Sequence, residues 1–373
     1  MNTSPWHFPR ADFARSVLTL LMDGPIQGVS LFGPRRMGKT QFLLNDLAPL
    51  AERKRHRAVY VSFMQTGAPL ALTLFELDLA LKHRKLGRRL NARPGELKAR
   101  FSLKAPVGPG ELTVDLGQSP RELPGDQLLA LDALLGALAD PGHPTLIMLD
   151  EFQELADTEN AELVAALRTA LDKRRDGLRA IFTGSSVDGL NRVFSTRSAP
   201  FFRFATPVDL PPLGEDFVDH QLKAFGEISK RMLDREKADE VFERFERNPL
   251  IFQRWLMMLA VRPDLDEDGT LELVRAALAE ELGFEAIWLK LSPGQRIVAR
   301  LLAQRVEQVY GEEGRDAIAT LTGGASLQTS EIQAALRRLR RLDVVDRWDK
   351  DWRISDPLIE AWIKERPAEE LRL

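Results

Sequence analysis

The sequence of 373 residues contains no cysteine. This absence excludes disulfides, thiolate metal sites, iron–sulfur clusters and cysteine nucleophiles, and it favours a reducing compartment. The five histidines are scattered without ligand spacing, so we do not expect a catalytic metal held by histidine. No charge of one sign dominates, since 52 basic and 55 acidic residues leave a formal charge of −3. This balance argues against a chain that coats nucleic acid along its whole length, but it permits a local basic face.

Long hydrophobic runs are also missing. The longest apolar stretches, around Leu128–Leu138 and Trp255–Val261, are too short to span a bilayer. Met1–Arg10 lacks the basic and then apolar layout of a secretory signal, so we expect a cytoplasmic protein with no membrane partner. A content of 44% hydrophobic and 29% charged residues is typical of globular domains, and the length favours two or three of them.

Short apolar segments alternate with helical patterns up to about residue 213. The segments that predict strands are Gly28–Phe32, Ala58–Met64, Thr145–Leu149, Arg179–Thr183 and Thr206–Leu210. The spacing predicts helices over Ala11–Met22, Gln41–Arg53 and Glu159–Arg174. This alternation predicts an α/β fold with a parallel five-stranded sheet, followed by a mainly helical part.

The long stretch 65–144 between the second and third predicted strands is interpreted as an insertion into the sheet domain. We expect helices over Leu72–Leu90 and Asp126–Ala139, and a hairpin within Ala99–Gly117, which is rich in glycine and proline between two alternating runs. Farther along, Ser292-Pro293 predicts a helix start, with serine as the cap and proline in the first turn.

A phosphate-binding motif follows the first predicted strand. The motif G-x-x-x-x-G-K-S/T is matched by Gly33, Pro34, Arg35, Arg36, Met37, Gly38, Lys39 and Thr40, with a helix predicted after it. The glycines let backbone N–H groups curl around phosphate oxygens, and the helix start adds its positive dipole end. Lys39 is expected to reach the β and γ phosphates, and Thr40 to offer its hydroxyl to Mg²⁺. We assign these eight residues and Gln41 to nucleotide binding.

Two acids end the third predicted strand. Asp150 and Glu151 follow four apolar residues, so they are expected at the carboxyl edge of the sheet, where nucleotides bind in such folds. Asp150 is the predicted Mg²⁺ partner through water, and Glu151 the base that aligns and deprotonates the attacking water. The alternatives are a helix-capping acid and a solvated acid. Ser185, with Ser186 close behind, ends the fourth strand and would sense the γ-phosphate or the water, unless it caps the next helix.

A transferring phosphoryl group also needs a cation on its far side. Arg197 and Arg203 lie between the fourth and fifth predicted strands. Either is a candidate arginine finger, from within the chain or from a neighbouring copy in a homo-oligomer. The alternative for both is a structural or solvated arginine.

Four strings together resemble those of the archaeal-type ATPases, which belong to the signal-transduction ATPases with numerous domains (STAND), relatives of AAA+ proteins. They are Gly33–Thr40, the Leu-Asp-Glu-Phe of 149–152, the Phe-Thr-Gly-Ser-Ser of 182–186 and the Ala-Pro-Phe-Phe-Arg of 199–203. Phe8-Pro9-Arg10 resembles the F-x-x-R segment of that family, which adds Arg10 to the ATP-binding residues. The resemblance implies ATP as the nucleotide and Mg²⁺ as its cofactor.

The resemblance extends to the helical part and implies three domains. These are an ATPase core over 1–213, a helical lid over 214–285 and a winged helix over 286–373. In the lid, Asn248-Pro249-Leu250 resembles a Gly-Asn-Pro element in which Arg247 replaces the glycine. In the last part, a helix from Thr329 and two short apolar segments resemble a recognition helix and its wing.

The predicted recognition helix is basic. Arg337, Arg338 and Arg341 lie along it, and Gln333 lies near the end that would face base edges. These four residues are our candidates for contacts with double-stranded DNA. The alternative is that the module packs on the ATPase core or on a protein partner and reports the nucleotide state. The basic stretch Lys82–Arg89 is a second candidate surface, and its alternative is a solvated helix face.

Three hypotheses follow for the function. The first is an ATP-dependent switch, slow without a partner, that acts on DNA or on a DNA-bound partner. In this switch ATP holds lid and winged helix in one arrangement and ADP releases them. The second is an origin-recognition-like AAA+ loader of DNA, which requires a lid arginine that reaches the γ-phosphate, with Arg254 as the candidate. The third is an interaction scaffold that keeps ATP bound without hydrolysing it.

Overall fold

The computed structural model describes residues 4–33, 35–64, 67–82, 113–115, 120–122, 126–185, 193–194, 199–245, 247–348 and 351–371. The first part contains α1 (Ala11–Met22), β1 (Gly28–Phe32), α2 (Lys39–Gln41, continued by Phe42–Leu47 and Ala48–Arg53), β2 (Ala58–Ser62), α3 (Pro69–Lys82), β3 (Thr113–Asp115), β4 (Pro120–Glu122), α4 (Gln127–Leu138), β5 (Thr145–Asp150), α5 (Ala161–Lys173), β6 (Leu178–Thr183) and β7 (Ala205–Asp209). The second part contains α6 (Glu215–Ser229), α7 (Arg235–Arg244), α8 (Pro249–Val261), α9 (Glu267–Glu281), α10 (Phe284–Leu289), α11 (Pro293–Ala303), α12 (Glu312–Thr322), α13 (Thr329–Arg341), β8 (Val345–Trp348), β9 (Asp351–Ile354) and α14 (Pro357–Lys364).

The five long strands form one parallel sheet in the order β2-β5-β6-β1-β7. This confirms the predicted α/β fold. The inner strand β5, between β2 and β6, is buried at every residue, which explains its continuous apolar run. Because the strands are parallel, the carboxyl ends of β1, β5 and β6 lie at the same edge. That edge carries the phosphate loop, Asp150 and the residues after Thr183.

Helices cover both faces of the sheet. On one face, α1 and α2 bury Leu21 and Leu43 against Leu31 of β1. On the other face, α3, α4 and α5 form a second core with Val59 of β2 and Phe182 of β6. The two ends of the stretch 65–144 thus belong to a helical layer of the sheet. Most of the predicted hairpin within 99–117 lies outside the described residues. Its described part is β3, which pairs antiparallel with β4, three residues beyond the predicted range.

The helical second part has one continuous core, which runs from Leu213 to Leu371. Trp255 of α8 and Leu336 of α13 both belong to it, so the segments predicted as lid and winged helix share their hydrophobic interior. Helices α11, α12 and α13 are followed by the two-stranded β8–β9 hairpin and then by α14. Within the described residues, no helix combines the length and apolar character needed to cross a membrane.

Candidate nucleotide site

The phosphate loop connects β1 to α2. Gly38 caps α2 with a φ of 89°, in the left-handed region that only glycine adopts without strain. The Nζ of Lys39 donates a hydrogen bond to the carbonyl oxygen of Gly33 at 2.9 Å, so the lysine side chain spans the loop from its end to its beginning. Pro34 lies outside the described residues. The loop therefore has the curled form that the motif predicts, closed by its own lysine.

Lys39 is almost completely buried, with 5% of its surface exposed. Burial lowers the pKa of its ammonium group to about 8, an effect that Glu151 and then Asp150 oppose and Arg35 adds to. Both predicted acids therefore lie close enough to act on the lysine. The structure brings together three groups that the sequence placed on two distant segments, the phosphate loop and the end of β5.

Asp150 at the end of β5 is held by four donors. The hydroxyls of Thr40 and Tyr60 donate to its Oδ2 at 2.7 and 2.8 Å, and Oδ1 accepts from the hydroxyl of Thr183 and from the Glu151 backbone N–H. Burial, and the carboxylate itself, raise the pKa of the Tyr60 phenol above its usual range, so the phenol remains a donor. Sequence reasoning missed Tyr60 and Thr183, because only the neighbouring strands on either side of β5 bring them to this carboxylate.

The same contacts suit a magnesium ion. A hydroxyl has one hydrogen and two lone pairs, and Thr40 gives its hydrogen to Asp150, so its lone pairs remain for a cation. Hydroxyl and carboxylate oxygens are the ligands that Mg²⁺ prefers. Thr40 would hold the ion directly and Asp150 through water, as expected from the sequence.

Glu151 adopts a φ of 55°, a left-handed conformation that is strained for a residue with a side chain. It precedes a short 3₁₀ turn, Phe152–Leu155. The hydroxyl of Ser185 donates to Oε2 of Glu151 at 2.9 Å, and the side-chain amide of Gln153 donates to the same oxygen. The structure thus places the predicted sensor Ser185 on the predicted base, and it adds Gln153, which the sequence analysis did not identify. Ser186 lies outside the described residues.

Arg10 fastens the N-terminal segment to the phosphate loop. Its guanidinium donates to the carbonyl oxygen of Met37 at 3.2 Å and to that of Pro211 at 2.5 Å, and burial lowers its pKa. Gln41 behaves differently, because its side chain accepts from Asn45 at 2.5 Å on the exposed side of α2. Its side chain therefore does not face the loop.

Two arginines of the loop reach the C-terminal part of the chain. Arg36, which has a φ of 65°, forms an ion pair with Asp356, the N-cap of α14. Arg35 lies 3.6 Å from Asp343, which follows α13. The first carboxylate is buried, with 8% of its side chain exposed, and the second is open, with 75% exposed. The sequence predicted neither contact, since it assigned both arginines to nucleotide binding alone.

The structure does not bring Arg203 to the phosphate loop of its own chain. Arg203 comes just before β7, whose first residue, Ala205, pairs with Gly28 at the start of β1. The loop follows Phe32 at the other end of β1, roughly 13 Å farther along the strand. Arg203 is exposed and its guanidinium lies over the ring of Phe202 at 5.3 Å. A role as finger within the chain is therefore ruled out by the parallel strand order, and Arg197 lies outside the described residues.

The candidate DNA-binding residues share a face of α13. Gln333, Arg337 and Arg341 are spaced by four positions and all three are exposed, while Arg338 is half-buried. In the hairpin that follows, Asp346 is buried and accepts a hydrogen bond from the Arg347 N–H at 2.8 Å. The lid candidate Arg254 forms an ion pair with Glu281 and lies close enough to Arg36 to contribute to its lowered pKa, which burial mainly causes.

No family model and no curated protein matches this chain. Among solved structures, it is similar to the Walker-type ATPase of Pyrococcus abyssi, with a TM-score of 0.65, 19% identity and 96% of each chain covered. It is also similar to the ORC2 protein of Aeropyrum pernix in its ADP form, with a TM-score of 0.54, 17% identity, and 95% of this chain and 93% of that one covered. A second structure of that protein, with ADPNP and ADP, gives a TM-score of 0.52 at 18% identity over 96% of this chain and 90% of the other. The chain therefore has the α/β fold of Walker-type and origin-recognition P-loop ATPases.

Proposed function

We propose that this protein binds and slowly hydrolyses Mg·ATP and that its nucleotide state controls the position of a C-terminal winged helix. Residues 1–213 would be the ATPase core, 214–285 the lid and 286–373 the winged helix. Support for the first half comes from the phosphate loop, the buried Lys39 and the acids Asp150 and Glu151, which meet at one edge of the sheet. The fold that the chain shares with Walker-type ATPases agrees with this proposal.

The chemistry follows from the contacts. Lys39 and the loop N–H groups bind the phosphates, and Glu151 accepts a proton from the water that attacks the γ-phosphorus in line with the leaving oxygen. Magnesium, when bound by Thr40 and Asp150, would neutralise phosphate charge. Catalysis of this kind is positioning and charge stabilisation, so turnover is expected to be slow in the absence of a partner.

The observation that carries the switch is the pair Arg35–Asp343. Arg35 lowers the pKa of Lys39, so its guanidinium lies near the phosphate-binding lysine. Asp343 in turn contributes to the raised pKa of Glu154, three residues after the candidate base, although burial is the main cause of that shift. Asp343, just after α13, therefore pairs with an arginine whose charge also acts on Lys39.

Phosphate and Asp343 compete for Arg35 in this arrangement. The pair is exposed and 3.6 Å long, so it is weak, whereas Arg36–Asp356 is buried and anchors the same module. A γ-phosphate would draw Arg35 away from Asp343 and loosen the end of α13, while Arg36 keeps the module attached. ADP, with less charge, would leave the pair in place, so the proposed direction is opposite to the expectation from the sequence that ATP holds the module and ADP releases it. The nucleotide would thus be reported at α13, the helix with the candidate DNA-binding face.

The experiment compares Asp343→Asn with the control Asp264→Asn. Asparagine tolerates the left-handed φ of 56° at position 343, and Asp264 is an exposed residue whose ion pair is with Arg262 and not with the phosphate loop. We expect D343N to bind ATP about two- to fivefold more tightly, because Arg35 is released, and D264N to behave as the unchanged protein. In the unchanged protein, ATP should raise hydrogen exchange over 343–356, and in D343N this response should vanish. Equal ATP affinity and equal exchange in all three proteins would refute the switch.

The scaffold alternative predicts that ATP is bound but not hydrolysed. Glu151→Gln separates the two, because it removes the base and keeps the size of the side chain. For an enzyme, phosphate release by the purified protein falls strongly in E151Q while ATP still binds. For a scaffold, phosphate release is already nil and the substitution changes nothing.

The loader alternative is favoured by one observation, the position of Arg254 near the phosphate-loop residue Arg36. In a loader, Arg254→Gln would weaken ATP binding as much as hydrolysis. In the switch, Arg254 remains paired with Glu281 and the substitution leaves ATP affinity unchanged.

In either case we propose that Arg203, placed at the far edge of the sheet, serves the site of a neighbouring copy in a homo-oligomer. A protein partner and double-stranded DNA remain the proposed targets of the C-terminal module.

A further inference from the structure

Gln153 connects the two polar residues that the sequence analysis assigned to the attacking water. Its Nε2 donates to Oε2 of Glu151, and it lies 3.3 Å from the hydroxyl oxygen of Ser185, which itself donates to the same carboxylate oxygen. The three side chains form a closed triangle. Since Glu151 opposes the lowering of the Lys39 pKa, this triangle lies beside the phosphate-binding lysine.

The other end of the same amide is unused. The nitrogen of Gln153 is fixed as the donor, because its partner is a carboxylate, which only accepts. Its oxygen, Oε1, is therefore the acceptor end of the amide, and this oxygen is buried and finds no donor among the described residues. A buried carbonyl oxygen that lacks a donor is unfavourable, so an external donor at this position would be bound favourably.

The position of Gln153 in the fold indicates which donor its Oε1 would accept from, and a comparison with Gln27 shows this. Gln27 also has a side-chain nitrogen that donates, to the carbonyl oxygen of Leu171 at 2.5 Å, and a buried oxygen without a donor among the described residues. Gln27, however, immediately precedes β1, at the edge of the sheet opposite to the phosphate loop. Of the glutamines that the structure describes with a buried, unpartnered side-chain oxygen, only Gln153 contacts the candidate base.

We infer that Gln153 is a positioning residue of the hydrolytic centre, an inference that depends on the proposed ATPase function. Its N–H holds the Glu151 carboxylate, and its Oε1 accepts one hydrogen of the attacking water. The other hydrogen of that water points to Glu151 and passes to it as a proton. The water oxygen forms the new bond to the γ-phosphorus, and the bond from that phosphorus to the bridging oxygen breaks, so ADP leaves with the electron pair and inorganic phosphate is released.

If Gln153 instead restrained the base, its removal would change the rate of hydrolysis in the opposite direction. If Gln153 and Ser185 only held Glu151 away from the water, removal of the amide would free the base and raise the rate. If Gln153 positions the water, removal of the amide lowers the rate and leaves ground-state nucleotide binding intact, because the contact matters only when the water attacks.

The test uses Gln153→Met, which keeps the length of the side chain and removes both polar atoms, with Gln27→Met as the matched control. We expect Q153M to lower kcat about ten- to hundredfold, with KM and calorimetric ADP affinity unchanged. We also expect Q153M to lose the tight complex with ADP, Mg²⁺ and aluminium fluoride, which imitates the attacked phosphate. Q27M should retain both kcat and that complex, even where its thermal stability falls.

Three outcomes overturn the inference. A Q153M protein that hydrolyses ATP at the unchanged or a higher rate refutes the positioning role while the ATPase stands. A loss of ADP affinity equal to the loss of kcat would show that Gln153 supports the fold of the site only. If the unchanged protein binds ATP but releases no phosphate, the proposed hydrolysis fails and the inference fails with it.

Discussion

The hydroxyl of Thr40 donates to Oδ2 of Asp150 across 2.7 Å, although 110 positions separate the two residues in the chain. Thr40 is the second residue of α2, and Asp150 ends the buried strand β5. The contact leaves the lone pairs of Thr40 free for a cation and directs the carboxylate toward the same place. Phosphate binding and magnesium binding are therefore prepared by one hydrogen bond between two distant motifs.

Tyr60 shares that oxygen of Asp150, so its phenol should support the metal site. Tyr60→Phe removes one donor at 2.8 Å and keeps the ring. We expect the enhancement of ADP affinity by Mg²⁺ to fall about tenfold, while ADP affinity without Mg²⁺ stays the same. Calorimetry with and without Mg²⁺ measures both.

The chain contains only two tyrosines, which provides the control. Tyr310 is exposed and lies in the C-terminal part, so Tyr310→Phe should leave the Mg²⁺ effect on ADP unchanged. An equal Mg²⁺ effect in Y60F and in the unchanged protein would show that Asp150 does not depend on Tyr60.

Lys39 should make nucleotide binding depend on pH. Its pKa is lowered to about 8 by burial, so the free protein loses the ammonium charge as the pH rises through that value. Bound phosphate stabilises the charged form, and ATP binding near pH 8 should therefore take up a proton and weaken as the pH rises further. Calorimetry in buffers of different ionisation enthalpy counts the proton.

Lys39→Arg is the control for this prediction, because a guanidinium stays charged across the range. Proton uptake should be absent in any ATP binding that K39R retains. The lowered pKa also makes the stability of the fold depend on pH. The unfolded lysine keeps its proton up to about pH 10.5, whereas the folded one keeps it only up to about pH 8. Between these values the contribution of Lys39 to the free energy of unfolding should rise with pH. A pH-independent ATP affinity would contradict the assignment.

Arg247 occupies a position where glycine would be unstrained. It adopts a φ of 58° immediately before Asn248, whose side chain caps α8 by accepting from the N–H groups of Leu250 and Ile251 at 3.0 and 3.4 Å. Arg247→Gly should therefore stabilise the protein and raise Tm by about 1 °C. Arg244→Gly, in the last turn of α7, should lower Tm instead, because glycine weakens a helix. A decrease in both variants would show that the left-handed turn carries no strain.

The exposed face of α13 should carry any DNA binding. Replacing Arg337 and Arg341 together by Ala should weaken binding to double-stranded DNA and reduce the slope of log affinity against log salt by about 2. Arg53→Ala, on an exposed face of α2, is the matched control and should change neither. A salt-titrated binding assay with and without ATP measures both quantities, and unchanged binding in the double variant would remove this surface.

The local sequence pattern determined most of the helices and strands in the first part of the chain. The predicted strand Gly28–Phe32 and the predicted helix Ala11–Met22 have the bounds that the structure gives them, and the cap at Ser292 forms the expected start of α11 with Gln295 as its reciprocal partner. These features depend on residues a few positions apart, whose spacing fixes which side chains are buried and which backbone N–H groups are capped. The phosphate loop is of the same kind, because all its essential residues lie between Gly33 and Thr40.

Only the tertiary structure decided the partners of those residues. Tyr60 meets Asp150 because β2 lies beside β5, Gln153 meets Glu151 and Ser185 because β6 ends beside β5, and Arg36 meets Asp356 because the C-terminal part packs on the loop. The role of Arg203 as a finger within its own chain was wrong for the same reason, since Arg203 precedes β7 at the edge of the sheet opposite to the phosphate loop. Such contacts depend on strand order and on the packing of one long core. The sequence of a single segment contains neither.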